Sequence, residues 1–361
     1  MRAAVMRNHQ LVVDDVPAPE PGPGQVLVKT LACGICGSDL HTLQHAEQLV
    51  EASRRTGGAY QWDVKRDVVM GHEFCAEVVD YGPHTQKALK PGTRVCSMPL
   101  VIRSDGVDTV GFSNDSPGGY GEYMRLSEAL LLAVPNGLSS ERAALVEPLA
   151  VGLHAVEKAR LDKQDVPLVI GCGPVGLAVI AALRLKGIRP IVAAEFSPLR
   201  RELASRMGAD VVVNPAEKSP YASWQQVAAY ADPAQAPPLP PWVPGPSLRP
   251  AVVFECVGVP GVIDQIMTSA APNARIVVVG VCMGKDTIEP MFGIGKELNI
   301  QFVLGYTPEE FGAMLHHVAD GRIPTEPLIT GKIGLNEVAQ AFKDLATPEQ
   351  HVKIIIEPWR S

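Results

Sequence analysis

The sequence predicts an α/β protein in two parts: a mostly β N-terminal domain over residues 1–150 and a doubly wound parallel sheet over 151–290. A tail, 291–361, is expected to return to the first domain. Three observations predict this. Short alternating stretches punctuated by Pro and Gly fill the first part (LVVDDV, QVLVKTLAC, AEVVDYG, TRVCSMPL), the texture of half-buried strands. From Glu147 onward strand-like and helix-like runs alternate, the pattern of a parallel sheet. Between two of those runs lies a glycine loop, GCGPVG. At 361 residues the chain is longer than one core usually grows, which also favours two domains.

The elements follow in order. PGPGQ and LKPGTRV are turns between strands. PLAVGLHAVEKAR is helical and leads into VPLVI (strand), LAVIAALRLKG (helix), PIVAAE (strand), SPLRRELASRMG (helix) and DVVVN (strand). AVVFECVG, GVIDQIMTSA and RIVVVGVCMG continue the alternation, and helices at TPEEFGAMLHHVADG and LNEVAQAFKDLA precede a closing strand, VKIIIEP. Two stretches read as insertions. Residues 231–250 hold eight prolines, which exclude a regular helix or interior strand and predict an extended surface loop. The stretch from Gln44 to Val68 is polar and partly helical in pattern, with Tyr60 and Trp62 inside it.

Composition narrows the function. A net charge of −7 with Lys and Arg scattered along the chain lacks the concentrated basic surface that nucleic acid requires. The N-terminus has charged and polar residues where a signal peptide needs an apolar run, and the longest apolar runs are broken before the roughly 20 residues of a membrane span. Seven cysteines without the spacing of a disulfide scaffold fit a reducing, cytoplasmic setting.

The loop residues Gly171, Gly173, Pro174, Val175 and Gly176 lie between a buried-type strand and an apolar helix. Glycines there let the backbone turn tightly and approach a pyrophosphate, whose charge sits at the helix N-terminus. Glu195, closing PIVAAE, is placed to accept hydrogen bonds from a ribose 2′-hydroxyl and would repel a 2′-phosphate. NAD is therefore favoured over NADP, with Arg200 and Arg201 one turn on as groups that offset part of that repulsion.

Upstream, CGICGSDLH (Cys33 to His41), GHE (Gly71 to Glu73) and VEPLAVG (Val146 to Gly152) each suit a metal ligand. Cys36, His72 and Glu147 supply three zinc ligands and leave a fourth position open, as a catalytic site does. Glu73 is either a neighbour of the metal or a ligand that exchanges with water. Asp39 is placed to hold the far nitrogen of His72. Ser38 and His41 offer a proton path from a metal-bound alcohol outward. The remaining cysteines, Cys33, Cys75, Cys96, Cys172, Cys256 and Cys282, read as small buried residues.

These residues together resemble the medium-chain zinc-dependent alcohol dehydrogenases over essentially the whole length. In that family GICGSDxH carries the first ligand, the hydroxyl and the relay histidine, which fall on Cys36, Ser38 and His41; GHE places the second ligand at His72 and the third falls at Glu147. The EPL motif is similar to the polyol and butanediol dehydrogenase branch. The resemblance implies a GroES-like catalytic domain beside a Rossmann domain, one zinc per chain and hydride transfer between an alcohol and NAD in the cleft between domains. It implies that Val279 to Val281 present backbone groups to the nicotinamide carboxamide, that Val151 backs the ring and that Lys353 reaches the pyrophosphate. A homodimer or homotetramer acting on a small-molecule alcohol or carbonyl compound is expected. Many members carry a structural zinc on four close cysteines after GTRV; only Cys96 stands there, so that zinc is expected to be absent. The 44–68 segment is expected to line or cover the substrate cleft, a bare surface excursion being the alternative. A zinc-free quinone or carbonyl reductase of the same fold and a non-catalytic dinucleotide sensor are the rival readings.

Overall fold

The computed structural model describes residues 1–238, 246–347 and 349–360. The chain divides into two compact units, Met1–Pro148 with Thr307–Ser361, and Leu149–Tyr306.

In the first unit, β1 (Arg2–Arg7) and β2 (Gln10–Asp15) form a hairpin, followed by β3 (Gln25–Gly34), α1 (Gly37–Thr56), β4 (Val68–Val69) and β5 (Glu73–Tyr81). Then come β6 (Arg94–Ser97), the β7–β8 hairpin (Leu100–Arg103, Gly106–Thr109), β9 (Tyr123–Ser127), β10 (Leu131–Ala133) and α2 (Ser140–Ala144). β3 is the axis: it pairs antiparallel with β5 on one side and with β9 along its first half. Its alternating residues Val26 and Val28 pack with Phe74, Met124, Leu126 and Ile354 in one apolar cluster; each such side chain, fully buried, stabilises by roughly 1.5–3 kcal/mol.

α3 (Val146–Lys158) leads into the second unit: β11 (Val166–Ile170), α4 (Pro174–Leu185), β12 (Val192–Ala194), α5 (Pro198–Met207), β13 (Val211–Val213), α6 (Pro220–Ala228), β14 (Ala251–Glu255), α7 (Val262–Ser269), β15 (Arg275–Val278), α8 (Pro290–Lys296) and β16 (Asn299–Phe302). The sheet order is β13-β12-β11-β14-β15-β16, all parallel. That is the doubly wound arrangement whose order reverses between the first and fourth strands, where such folds bind ligands. Its core joins Val166, Leu168, Val253 and Ile276 to Trp224, whose indole N–H donates to the Val166 carbonyl at 2.9 Å.

The tail supplies α9 (Pro308–Ala319), β17 (Ile329–Ile333), α10 (Val338–Ala346) and β18 (Lys353–Ile356). β18 pairs antiparallel with the end of β3, Ile355 opposite Gly34. The return expected at 291 takes place at 307, because β16 adds to the doubly wound sheet beside β15. Within 231–250, residues 239–245 lie outside the described residues; Leu248 bridges to Ala229 on the near side. Among the described residues, no helix is long and apolar enough to cross a membrane.

Candidate metal centre and nucleotide loop

β3 and β5 bring the metal-type residues together. Their register sets Gly34 opposite Glu73, so Cys36, just past one strand, meets His72, just before the other. Cys36 is the N-cap of α1, and its backbone N–H donates to the Asp39 carboxylate at 3.0 Å, which fixes the first turn. The donor atoms of Cys36, His72 and Glu73 all lie within 4.8 Å of one another. A thiol, an imidazole and a carboxylate converging in this way form a donor set that fits zinc.

Behind His72 stands Asp39, fully buried. Its Oδ1 lies 3.3 Å from His72 Nδ1, within ion-pair reach but not aligned as a hydrogen bond, and neither atom has another partner. The other oxygen accepts the Tyr120 hydroxyl at 2.6 Å. Burial opposes charge on the His72 ring, yet the Asp39 carboxylate and the Cys36 sulfur hold its pKa well above the ordinary value. Asp39 answers in kind: burial works against its charge, and the His72 ring outweighs it to keep the carboxyl below its usual range.

Lys353, expected to reach the pyrophosphate, is held within the first unit. It is 2% exposed in the first unit, and its ammonium donates to both oxygens of Glu73, at 2.7 and 2.6 Å, and to the Ile35 carbonyl at 2.9 Å. The reason is topological: β18 lies against β3, which delivers its first residue to the strand pair that carries Glu73. Glu147, on the first turn of α3, stands outside the converging group, although its charge acts on both Lys353 and Tyr60.

Ser38 and His41 lie on α1 itself, one turn apart and so on one face. His41 is half-buried, and burial, aided by the like charge of His45, lowers its pKa. The 44–68 segment is helical as far as Thr56, with a kink at His45. Beyond it Tyr60 and Trp62 stack about Phe112, whose ring centroid is 5.1 Å from that of His72.

In the second unit the glycine loop caps α4. Gly171 has φ +88°, a conformation that L side chains resist, and a Cβ on Gly176 would fall 1.9 Å from the Gly171 carbonyl oxygen. Gly173 is the N-cap, with Pro174 and Val175 opening the helix. Glu195 lies just beyond β12, but its carboxylate is already engaged: Cys172 N–H and Ser197 N–H each donate to it at 2.9 Å. Arg200 places its guanidinium beside Gly173 with Nε unpartnered, and burial lowers its pKa against the pull of Glu195. Arg201 turns away to the carbonyls of Glu195 and Phe196. Val279 and Gly280 N–H both donate to the Glu255 carbonyl at 2.9 Å, while Val281 is 46% exposed and Val151 half-buried on α3.

Sequence reasoning missed Tyr120, Phe112, the Lys353 clamp and Glu255, whose buried carboxylate accepts Val257 N–H at 2.7 Å and Gly258 N–H at 2.9 Å. The GGYG run was the available signal for Tyr120. A Cβ on Gly118 or Gly119 would strike the backbone of Gly71 or the Cys33 sulfur, so this run must pack against the metal-ligand strand.

Comparison with known proteins agrees with this geometry. Residues 22–136 match the alcohol dehydrogenase GroES-like domain and residues 174–320 the zinc-binding dehydrogenase family. The chain is 31% identical to the (R,R)-butanediol dehydrogenase of Bacillus subtilis (strain 168), over 99% of this chain and 100% of that protein. It is 28% identical to the sorbitol dehydrogenase of Gallus gallus, over 99% and 96%. The crystal structure of 2R,3R-butanediol dehydrogenase from Bacillus subtilis superposes with a TM-score of 0.79, 31% identity and 99% coverage of both chains. The chain belongs to the zinc-dependent medium-chain alcohol dehydrogenases, an oxidoreductase family with a nicotinamide cofactor, in the branch of the butanediol and sorbitol dehydrogenases.

Proposed function

We propose that this protein oxidises secondary alcohols, vicinal diols or polyols to the ketone or aldehyde, with NAD as hydride acceptor and one catalytic zinc per chain. The observation that carries the reading is the convergence of Cys36, His72 and a carboxylate, backed by Asp39. Zinc, when bound, supplies a Lewis acid that lets the alcohol ionise near neutral pH.

The chain's own residues do the rest. Cys36, His72 and Glu147 would hold the metal, with Glu73, clasped by Lys353 on both oxygens, as the carboxylate beside it. Asp39 fixes the tautomer and orientation of His72. Ser38 takes the alcohol proton and His41, kept neutral by burial, passes it to solvent. Gly171, Gly173, Pro174, Val175 and Gly176 cradle the pyrophosphate at the start of α4, with Val151, Val279 and Val281 about the nicotinamide. Glu195, anchored by two backbone amides, retains lone pairs for a ribose hydroxyl, and Arg200 lies beside it; a fixed anion there favours NAD over NADP.

A structural zinc is not part of this reading. The region after Cys96 is braced by other means: Arg103 pairs with Asp108 at 3.3 Å, and Ser116 donates to Asp108 at 2.7 Å. Assembly into a dimer or tetramer is supported by the apolar residues left open about the edge strand β16 and on α8, where Phe302 is 65% exposed, Leu304 78% and Ile294 73%.

The test is reduction of NAD, and separately NADP, by the purified protein across secondary alcohols, diols and sugars. Turnover should vanish on chelation, return with zinc, and be abolished by Cys36→Ser or His72→Ala while dinucleotide binding persists. Turnover indifferent to chelator or to those substitutions would overturn the reading.

A further inference from the structure

The carboxylate behind His72 is held by a residue that none of the ligand motifs contains. Tyr120 is fully buried and belongs to the irregular chain between β8 and β9. Its backbone N–H donates to the Met70 carbonyl at 3.0 Å, and its carbonyl accepts Ala4 N–H at 2.9 Å. Just before it, Gly118 N–H donates to the Val69 carbonyl and Gly119 N–H to the Gly71 carbonyl, each at 2.8 Å. The run is thus bonded, residue by residue, to the chain immediately before His72. The ring closes the same contact: a Cβ on Gly71 would fall 2.5 Å from a ring carbon of Tyr120, and Phe342 meets that ring edge-on at 6.1 Å.

Phenylalanine would make the same ring contacts, so the hydroxyl is the part that packing does not need. It donates to Asp39 Oδ2 at 2.6 Å, a short bond of the charge-assisted kind. Burial, and next the Asp39 charge, raise the Tyr120 pKa well above its ordinary value, so the phenol keeps its proton and stays a donor. The same Oδ2 accepts Cys36 N–H at 3.0 Å, while Oδ1 faces His72 Nδ1 at 3.3 Å. A carboxylate turns readily about its last bond, whose torsional preference is broad. Two donors on one oxygen, one from the ligand turn and one from Tyr120, fix that torsion and so decide where Oδ1 points. Oδ1 has no hydrogen bond of its own to hold it there.

We propose that Tyr120 is a positioning residue of the metal centre: by donating to Asp39 Oδ2 it fixes the carboxylate whose Oδ1 orients the His72 ring toward Cys36 and Glu73. The inference rests on the zinc reading of that group and deepens it, adding a phenol to the chain of contacts behind the ligand. Groups that stand directly behind a ligating histidine change metal affinity or activity by about ten- to a hundredfold. Tyr120 acts through Asp39, one contact further back, which sets its effect at the low end of that range.

The experiment measures Zn²⁺ affinity of the full chain by competition with a chromophoric chelator, and the absorption spectrum of the Co²⁺-loaded protein. Tyr120→Phe, which keeps the ring, should bind zinc about tenfold more weakly and shift the cobalt absorption bands, while still unfolding cooperatively in chelator. In an Asp39→Ala background, where there is no carboxylate to position, the same change should alter zinc affinity by less than about twofold. Packing alone would cost the same in both backgrounds. Unchanged zinc affinity, unmoved cobalt bands, or a tenfold loss that persists in Asp39→Ala would overturn the role of Tyr120 while leaving the zinc reading in place. Wild-type protein that binds zinc no more tightly than Cys36→Ser would instead overturn the zinc reading, and the role of Tyr120 with it.

Discussion

Replacing Lys353 by Met removes the cation that holds Glu73. Both partners are buried, at 2% and 0% exposure, and the ammonium makes three hydrogen bonds, two to Glu73 and one to the Ile35 carbonyl. An exposed ion pair would contribute at most about 1 kcal/mol. Here the substitution strands a carboxylate in the interior, and breaking one half of a buried pair costs about 3–5 kcal/mol. For a unit of about two hundred residues that corresponds to a fall in Tm of roughly 6–20 °C. The assay is thermal and urea unfolding of Lys353→Met, Glu73→Gln and the double variant, all in chelator so that metal binding does not enter. The double variant should recover about 2 kcal/mol relative to the sum of the singles, since the neutral amide no longer needs a counterion. A single-variant loss under about 1 kcal/mol, or strict additivity, would refute the reasoning.

Two further outcomes are expected. His41, with its pKa lowered by burial and by His45, should give kcat/KM an acid limb below the ordinary histidine value of 6.5. His45→Gln removes the like charge, so that limb should move to higher pH, and a pH profile unmoved by the change would count against His41 as the relay. Tyr221, partly buried against the core of the second unit, has its pKa pushed up to about 12 from 10.0 by desolvation. Both states hold the proton below pH 10, but above it the unfolded phenol ionises first, so stability should fall by about 3 kcal/mol between pH 10 and 12. Tyr221→Phe should flatten that loss in alkaline urea unfolding.

The motifs stood out because metal chemistry admits few residue types; Cys36, His72 and Glu73 converge as their spacing about two strands allows, whereas Glu147, expected as the third ligand, lies outside that group. The doubly wound sheet was legible for a similar reason: its buried strands are continuous apolar runs. β16 was not, because NIQF is an edge strand with little buried surface and so carries no strong apolar pattern. The Glu73 partner of Lys353 was not legible because it is set by β18 pairing with β3, a contact between residues more than three hundred positions apart that no local pattern encodes. Phe112 and Tyr120 are single aromatics in glycine-rich irregular chain, where there is no period to read. Glu195 lies beside the glycine loop, and its two backbone bonds depend on where the strands end rather than on residue type.

One helix carries Cys36 at its cap and Ser38, Asp39 and His41 in its opening turns, while Tyr60 and Trp62 belong to the chain that follows its last turn. The metal-type residues and the aromatic pair thereby occupy separable stretches of one segment. Residues 57–67 are tied down chiefly by contacts with Ser53, Asn114 and Asp115, so the segment can diverge in length and sequence among descendants while the ligand turn stays fixed.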